Sequence, residues 1–131
     1  PLTPNSMAEG NLSALDSQIV RAYGSAISPV AILRSAGNHL MRLQLALVNL
    51  SQGASIDMTL RNLRPPPNFQ RSTSFRRQLQ LWNLTNIGRA LDIMLTAEAG
   101  CKTTGAPDLS LCHRAMMLSA MLARRDTRIS L

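Results

Sequence analysis

The sequence predicts an all-α protein, a single compact bundle of about five to six helices. The chain has 131 residues, which is the size of one domain with one modest core. Hydrophobic residues make up 45% of it but aromatic residues only 3%, so the core must be built from aliphatic side chains, most of which favour helices. Apolar residues also recur at spacings of three and four, the period of an α-helix.

We expect residues 8–125 to form the domain. Residues 1–7 contain two prolines and no apolar periodicity, which is typical of a linker or a remnant of cloning. Residues 126–131 are expected to form a frayed C-terminal tail. The first predicted helix covers about residues 11–23 and has a narrow apolar face, with Gly24 as its stop.

The second predicted helix has the strongest periodicity in the chain. Ser28 caps it, Pro29 occupies its first position and Gly53 ends it. Its packing seam consists of Leu33, Ala36, Leu40, Leu43, Leu47 and Leu50. A second apolar stripe beside the seam consists of Met41, Leu45 and Val48. Two adjacent stripes predict a central helix that contacts its neighbours over a wide arc.

Two shorter helices are predicted on either side of a proline crossover at residues 65–67. Ser55 begins the first of them, in which Asp57 and Arg61 have the spacing of an i,i+4 ion pair. The prolines end this helix, and the next begins at about residues 72–73. Its expected inward side chains are Phe75, Leu79 and Trp82. Its expected outward side chains are Arg76, Arg77, Gln78 and Gln80.

The last two predicted helices are separated by Gly105 and Pro107. The earlier one starts at Asn83 or Thr85 and is stabilised near its end by a Glu98–Lys102 pair. Its expected inward side chains are Leu84, Ile87, Leu91, Met94 and Leu95. The final helix runs to about Arg125 and is expected to bury Leu109, Cys112, Met116 and either Ser119 or Ala120, with Leu111, Ala115, Leu118 and Leu122 beside them.

The residue pattern offers no catalytic, metal or cofactor site. The seven acidic residues are scattered, so no carboxylate pair is available for acid–base catalysis. His39 and His113 have no ligand partners at metal spacing and are expected at surface or boundary positions. Cys112 and His113 are adjacent, and adjacent helical side chains point about 100° apart, which disfavours a thiol–imidazole pair. We therefore expect a chain without enzymatic activity.

The same sequence predicts a soluble cytoplasmic protein. No apolar run approaches the ~20 residues that cross a bilayer, so no membrane partner is expected. The start of the chain lacks the charged and then apolar pattern of a signal peptide. Cys101 and Cys112 have neither the number nor the spacing of a disulfide framework or a zinc site, which favours a reducing compartment.

An acid-free basic block lies between Met58 and Asp92. It contains Arg61, Arg64, Arg71, Arg76, Arg77 and Arg89. Together with the net charge of +7 and the isoelectric point near 11.3, it indicates a solvated face or an anionic partner. We favour a protein partner contacted through Arg71, Arg76 and Arg77. The alternative is direct DNA binding through the Arg61–Arg89 block, although no exposed aromatic platform for bases is expected.

An ordered set of residues resembles the C-terminal domain of the bacterial DNA polymerase III delta subunit, in its alphaproteobacterial form. The set consists of Ser28-Pro29-Val30-Ala31-Ile32-Leu33-Arg34, His39-Leu40, Arg42-Leu43, Leu63-Arg64-Pro65-Pro66, Phe69, Phe75, Leu79, Trp82, Ala90-Leu91, Ala97-Glu98, Lys102 to Pro107 and Leu111-Cys112. The resemblance covers about residues 8–124, and its specificity lies in the combination.

The resemblance implies a non-catalytic assembly domain of the clamp loader. The delta subunit joins the other loader subunits through a helical collar, and this collar supports sliding-clamp loading in DNA replication. In that family ATP hydrolysis belongs to other subunits, and clamp opening belongs to an N-terminal module that the resemblance does not cover. The resemblance thus implies protein partners, with DNA contact indirect or weak, and the isolated domain is expected to be able to form homo-oligomers through an uncovered collar surface.

Overall fold

The computed structural model describes residues 5–23, 27–63 and 67–129. Within these ranges it confirms the all-α class, with seven helices and no strand. The helices are α1 (Asn5–Ala8), α2 (Leu12–Tyr23), α3 (Pro29–Ser51), α4 (Ile56–Asn62), α5 (Phe69–Leu81), α6 (Leu84–Cys101) and α7 (Asp108–Ile129). Some predictions fall on residues outside the described ranges: the linker at 1–4, the stop at Gly24, prolines 65–66 of the crossover and the end of the tail at 130–131.

Side-chain caps set the starts of the helices. Ser28 and Ser55 cap α3 and α4 as predicted, each accepting the backbone N–H three residues further on. Asn83 caps α6 in the same way. The predicted start of α5 at residues 72–73 is wrong. Asn68 caps this helix at 2.8 Å, because its amide oxygen follows the prolines directly and reaches the first turn.

Helices α3, α6 and α7 form the centre of the bundle. Helix α3 packs most extensively on α6, and α6 packs on α7. Arg34 near the start of α3 lies 3.3 Å from Glu98 near the end of α6. Asn86 near the start of α6 donates to the carbonyl of Leu122 in α7 at 3.4 Å. These contacts make α3 antiparallel to α6, and α6 antiparallel to α7. Helices α1 and α2 pack on α7, whereas helices α4 and α5 pack on α3.

The core of the bundle is built mainly from aliphatic side chains. It buries most of the residues predicted for it: Leu33, Leu40, Leu43, Phe75, Leu79, Trp82, Ile87, Met94, Cys112 and Met116. Leu47 and Leu91 are only partly buried and pack against the edge of the core. Leu109, expected inside, is exposed because it lies in the first turn of α7, next to the loop that follows α6.

Residues 5–7 belong to the domain rather than to a linker. They start α1, and the side chains of Met7 and Ala8 are completely buried. Gly10 follows at φ +69°, and a Cβ atom there would lie 2.8 Å from Cγ of Arg124, so the turn into α2 requires glycine. At the other end, the backbone of α7 continues to Ile129, beyond the expected end near Arg125.

Candidate functional site

Besides Leu109, four large apolar side chains on α3 and α6 that the sequence places inside the bundle are exposed. Met41 is 51% exposed and Leu45 56%, both on α3. Leu84 is 43% exposed and Leu95 66%, both on α6. The prediction that these residues face inward is wrong, because this small bundle supplies too few neighbours to cover the whole apolar arc of each helix.

Helical spacing places these four residues along one side of the α3–α6 pair. The Arg34–Glu98 ion pair fixes the register of the two helices. In steps of one helical turn from Arg34, α3 reaches Met41 and then Leu45. In the same steps from Glu98 towards the start of α6, that helix reaches Leu95 and later Leu84. We define the α3–α6 face as Gly37, Met41, Leu45, Leu84, Gly88 and Leu95.

The two glycines leave space on this face. A Cβ atom at Gly37 or Gly88 would meet nothing within 4 Å, apart from the backbone of its own helix and its chain neighbours. Neither glycine has the left-handed conformation that glycine alone adopts readily. Backbone geometry therefore does not require glycine here, and the two positions are shallow places in an otherwise apolar surface.

Charged side chains border one end of the α3–α6 face. Glu98 lies 3.3 Å from Arg34 and 3.0 Å from Lys102, the latter as predicted from the i,i+4 spacing. The hydrogen bond from Lys102, with a smaller contribution from Arg34, lowers the pKa of Glu98. The Glu98 side chain is 21% exposed, whereas Arg34 is 59% and Lys102 53% exposed. This end of the face therefore presents two cations that share one carboxylate.

Two of the three arginines chosen from the sequence as an interface have partners within the chain. Arg76 forms an ion pair with Asp57 of α4, and Arg61, the predicted i,i+4 partner of Asp57, also acts electrostatically on this carboxylate. Arg77 lies 2.7 Å from Glu9. Both acids lie outside the acid-free stretch and are brought to it by folding. Arg71 is exposed at the start of α5, and no ion pair of its guanidinium is found within the described ranges.

A buried polar network lies beneath these arginines. Gln78, expected to face outward, is completely buried, because it lies one helical turn from Phe75 on the same side of α5. Its amide nitrogen donates to Asn5 Oδ1 at 3.1 Å and to Ser74 Oγ at 3.0 Å. Its amide oxygen therefore accepts from His39 Nε2 at 2.5 Å, which defines the tautomer of the imidazole.

A second apolar depression lies between α6 and α7. It has a volume of about 370 Å³ and is lined mainly by aliphatic side chains, including Ile93, Leu111 and Leu118. Asp92 and Arg114 also line it, so its charged residues have opposite signs. A groove of this kind can take apolar side chains of a ligand or partner.

The described residues show no arrangement of a nucleophile and a base. Burial raises the pKa of the Cys112 thiol to about 12, so the thiolate is scarce near neutral pH. His113 turns away from this thiol, and its Nε2 lies 3.0 Å from Asp16 Oδ1. Between residues 5 and 129, excluding the two undescribed gaps, no group of three or more potential ligands could hold a metal ion.

Comparisons with known proteins do not identify a relative. No protein-family model, curated protein or solved structure matches this chain. No helix in the described ranges combines the length and apolar character needed to cross a membrane. The functional interpretation therefore depends on the chain's own surface. Sequence reasoning missed its main feature, although the second apolar stripe on α3 and the glycines at 37 and 88 are visible in the sequence.

Proposed function

We propose that this chain is a non-catalytic subunit-assembly domain of the DNA polymerase III clamp loader, corresponding to the C-terminal collar domain of the delta subunit. In this role it helps to hold the loader together during sliding-clamp loading in DNA replication. The parent assembly belongs to a DNA-directed DNA polymerase holoenzyme, and this chain contributes binding rather than catalysis. Its partners are the other loader subunits.

The α3–α6 face is the observation that carries this proposal. Exposed apolar side chains that lie together along a surface are typical of protein–protein contacts. The all-α bundle agrees with the helical collar that the sequence resemblance implies. A collar works by fixing the order and spacing of its subunits, which requires complementary surfaces rather than a pocket.

The contacts of the basic block favour protein binding over DNA binding. Asp57 and Glu9 already neutralise Arg76 and Arg77, so fewer guanidinium groups are available to phosphates than the sequence indicates. The buried Phe75 and Trp82 side chains also cannot stack on bases. Direct DNA binding through the Arg61–Arg89 block is thus the weaker alternative.

The experiment is a binding assay with the purified remaining loader subunits and, separately, with labelled duplex and single-stranded DNA. We expect the chain to capture at least one loader subunit and to migrate with it in gel filtration. We expect DNA binding to be weak and lost as the salt concentration rises. Capture of no loader subunit, together with tight DNA binding abolished by Arg71→Ala and Arg89→Ala, would overturn the proposal.

A further inference from the structure

We infer that the α3–α6 face binds an amphipathic α-helix of a partner protein, and that this helix places an acidic residue next to Arg34 and Lys102. The inference depends on the proposed function only for the kind of partner, a protein subunit. It adds the location of the contact, the secondary structure of the bound segment and the sign of its charge. Each of these follows from a separate feature of the face.

The shape of the face fits a helix. From Leu84 to Glu98, α6 rises about 21 Å, which corresponds to about four helical turns. The described ranges contain no strand, so they offer no sheet edge to which an extended peptide could add backbone hydrogen bonds. Exposed aliphatic side chains along two antiparallel helices instead match a partner helix with apolar residues on one side.

The glycines allow a partner helix to approach closely. Because a Cβ atom at Gly37 or Gly88 would have open space around it, these positions are depressions between the larger side chains. Apolar side chains of an approaching helix can enter such depressions, as ridges enter grooves when helices pack. The exposed Met41 and Leu95 side chains can then make contacts on either side of them.

The charges at one end favour an acidic partner. Helix α3 contains Arg34 and Arg42 but no acidic residue. Arg34 and Lys102 share the carboxylate of Glu98, so the ion pairs at this end of the face carry an excess positive charge. A carboxylate on the partner helix would complement it. A second copy of this chain, with a net charge of +7, would repel the first and bring no acid on its own α3.

One experiment measures how surface variants bind the loader subunits. Leu95→Glu and Met41→Gln each remove an exposed apolar contact, and Val20→Glu is the matched control on α2, since Val20 is similarly exposed at 56%. We expect about tenfold weaker capture for both α3–α6 variants and unchanged capture for the control. Circular dichroism checks that each variant remains folded. Equal capture by all variants would overturn the location of the contact while leaving the proposed function intact.

A second experiment does not depend on the loader. It uses two fluorescein-labelled synthetic helical peptides of about 18 residues, with Leu along one side and either Glu or Lys in one terminal turn. At low salt we expect the Glu peptide to bind at least about fivefold more tightly, and the difference to shrink as salt is added. Arg34→Glu should remove this preference, and the control Arg21→Glu on α2 should retain it.

The two experiments separate the outcomes. If the wild-type chain captures no loader subunit but the Glu peptide binds in a manner that Leu95→Glu weakens, the proposed function fails and the inference about the face stands. If both peptides bind equally, or if Leu95→Glu changes neither measurement, the inference is wrong. Sedimentation of the free chain tests whether a second copy of the chain occupies the face. A dimer that Leu95→Glu dissociates would identify such a copy and overturn the inference.

Discussion

The indole Nε1 of Trp82 donates a hydrogen bond of 2.7 Å to the backbone carbonyl of Ala8, and both residues are buried. This bond joins the end of α5 to the end of α1. Glu9, the next residue, accepts from Ser74 at 3.2 Å and from Arg77 at 2.7 Å. The short first helix, which packs on α7, is therefore also joined to α5 by backbone and side-chain acceptors.

Trp82→Phe is expected to lower the free energy of unfolding by about 1–3 kcal/mol, because the buried carbonyl of Ala8 loses its hydrogen-bond donor. Urea denaturation followed by circular dichroism measures this change. Gln80→Ala, at an exposed position of the same helix, is the control and should change stability by less than about 0.5 kcal/mol. Equal stability of the Trp82 variant and the wild type would contradict the role assigned to this bond.

The stability of the protein should fall when the pH is lowered below about 6.5. Burial, with a contribution from the nearby Arg42, lowers the pKa of His39 from its ordinary value of 6.5, although the bond to Gln78 opposes the shift. Between the folded pKa and 6.5 the unfolded chain binds more protons than the folded one. The contribution of neutral His39 to the free energy of unfolding is thus complete above pH 6.5 and is lost as the pH falls from 6.5 through the folded pKa.

Urea denaturation at a series of pH values between about 5 and 8 tests this dependence. His39→Gln should flatten the profile within the window, even if it lowers stability at every pH. Asn38→Gln, at the adjacent exposed position, should leave the slope unchanged. A wild-type profile with no slope below pH 6.5 would be inconsistent with a neutral buried imidazole.

Ser119→Ala should leave stability unchanged or raise it by up to about 1 kcal/mol. The Ser119 side chain is completely buried in α7, and its hydroxyl has no hydrogen-bond partner within the described ranges. The reverse change at the next residue, Ala120→Ser, introduces a hydroxyl at a fully buried position and should be destabilising. Thermal denaturation of the two variants compares them, and a marked loss of stability in Ser119→Ala would reveal a partner for the hydroxyl.

The two thiols should differ in their reactivity towards an aromatic disulfide reagent at pH 8. Cys101 is partly exposed, although burial and the nearby Asp108 and Glu98 carboxylates raise the pKa of its thiol. Cys112 is buried, and its pKa is raised to about 12. We expect Cys101 to react slowly and Cys112 only after unfolding. The Cys101→Ser variant retains Cys112 as its thiol. Fast labelling of this variant in its folded state would contradict the expected order.

Apolar periodicity predicted the helices well, because three-and-four spacing is a local property of the chain. The seam from Leu33 to Leu43 is buried as expected. The same periodicity could not predict that Met41 and Leu95 remain exposed. It gives the width of an apolar arc but not the number of helices available to cover it. Both residues belong to the α3–α6 face.

The partners of the arginines could not be predicted from sequence either. Arg76 pairs with an acid 19 residues away and Arg77 with one 68 residues away, outside the range of helical spacing rules. The burial of Gln78 has the same origin, since Asn5 and His39 supply its hydrogen bonds only in the folded chain. Residue type indicated exposed positions for these side chains, and long-range polar contacts determined their actual surroundings.

The placement of α1 also determines the order in which this protein can fold. The bonds of α1 and Glu9 to α5 span between 65 and 74 residues of sequence, so they cannot form until α5 has been synthesised, and the packing of α1 on α7 requires a still later segment. During synthesis the segment that carries Met7 leaves the ribosome before α5 and α7 do, so it has no site to occupy until they have been made. Closing such a long loop is a late and slow step. Met7 is therefore among the first side chains of the core to be synthesised and among the last to be buried.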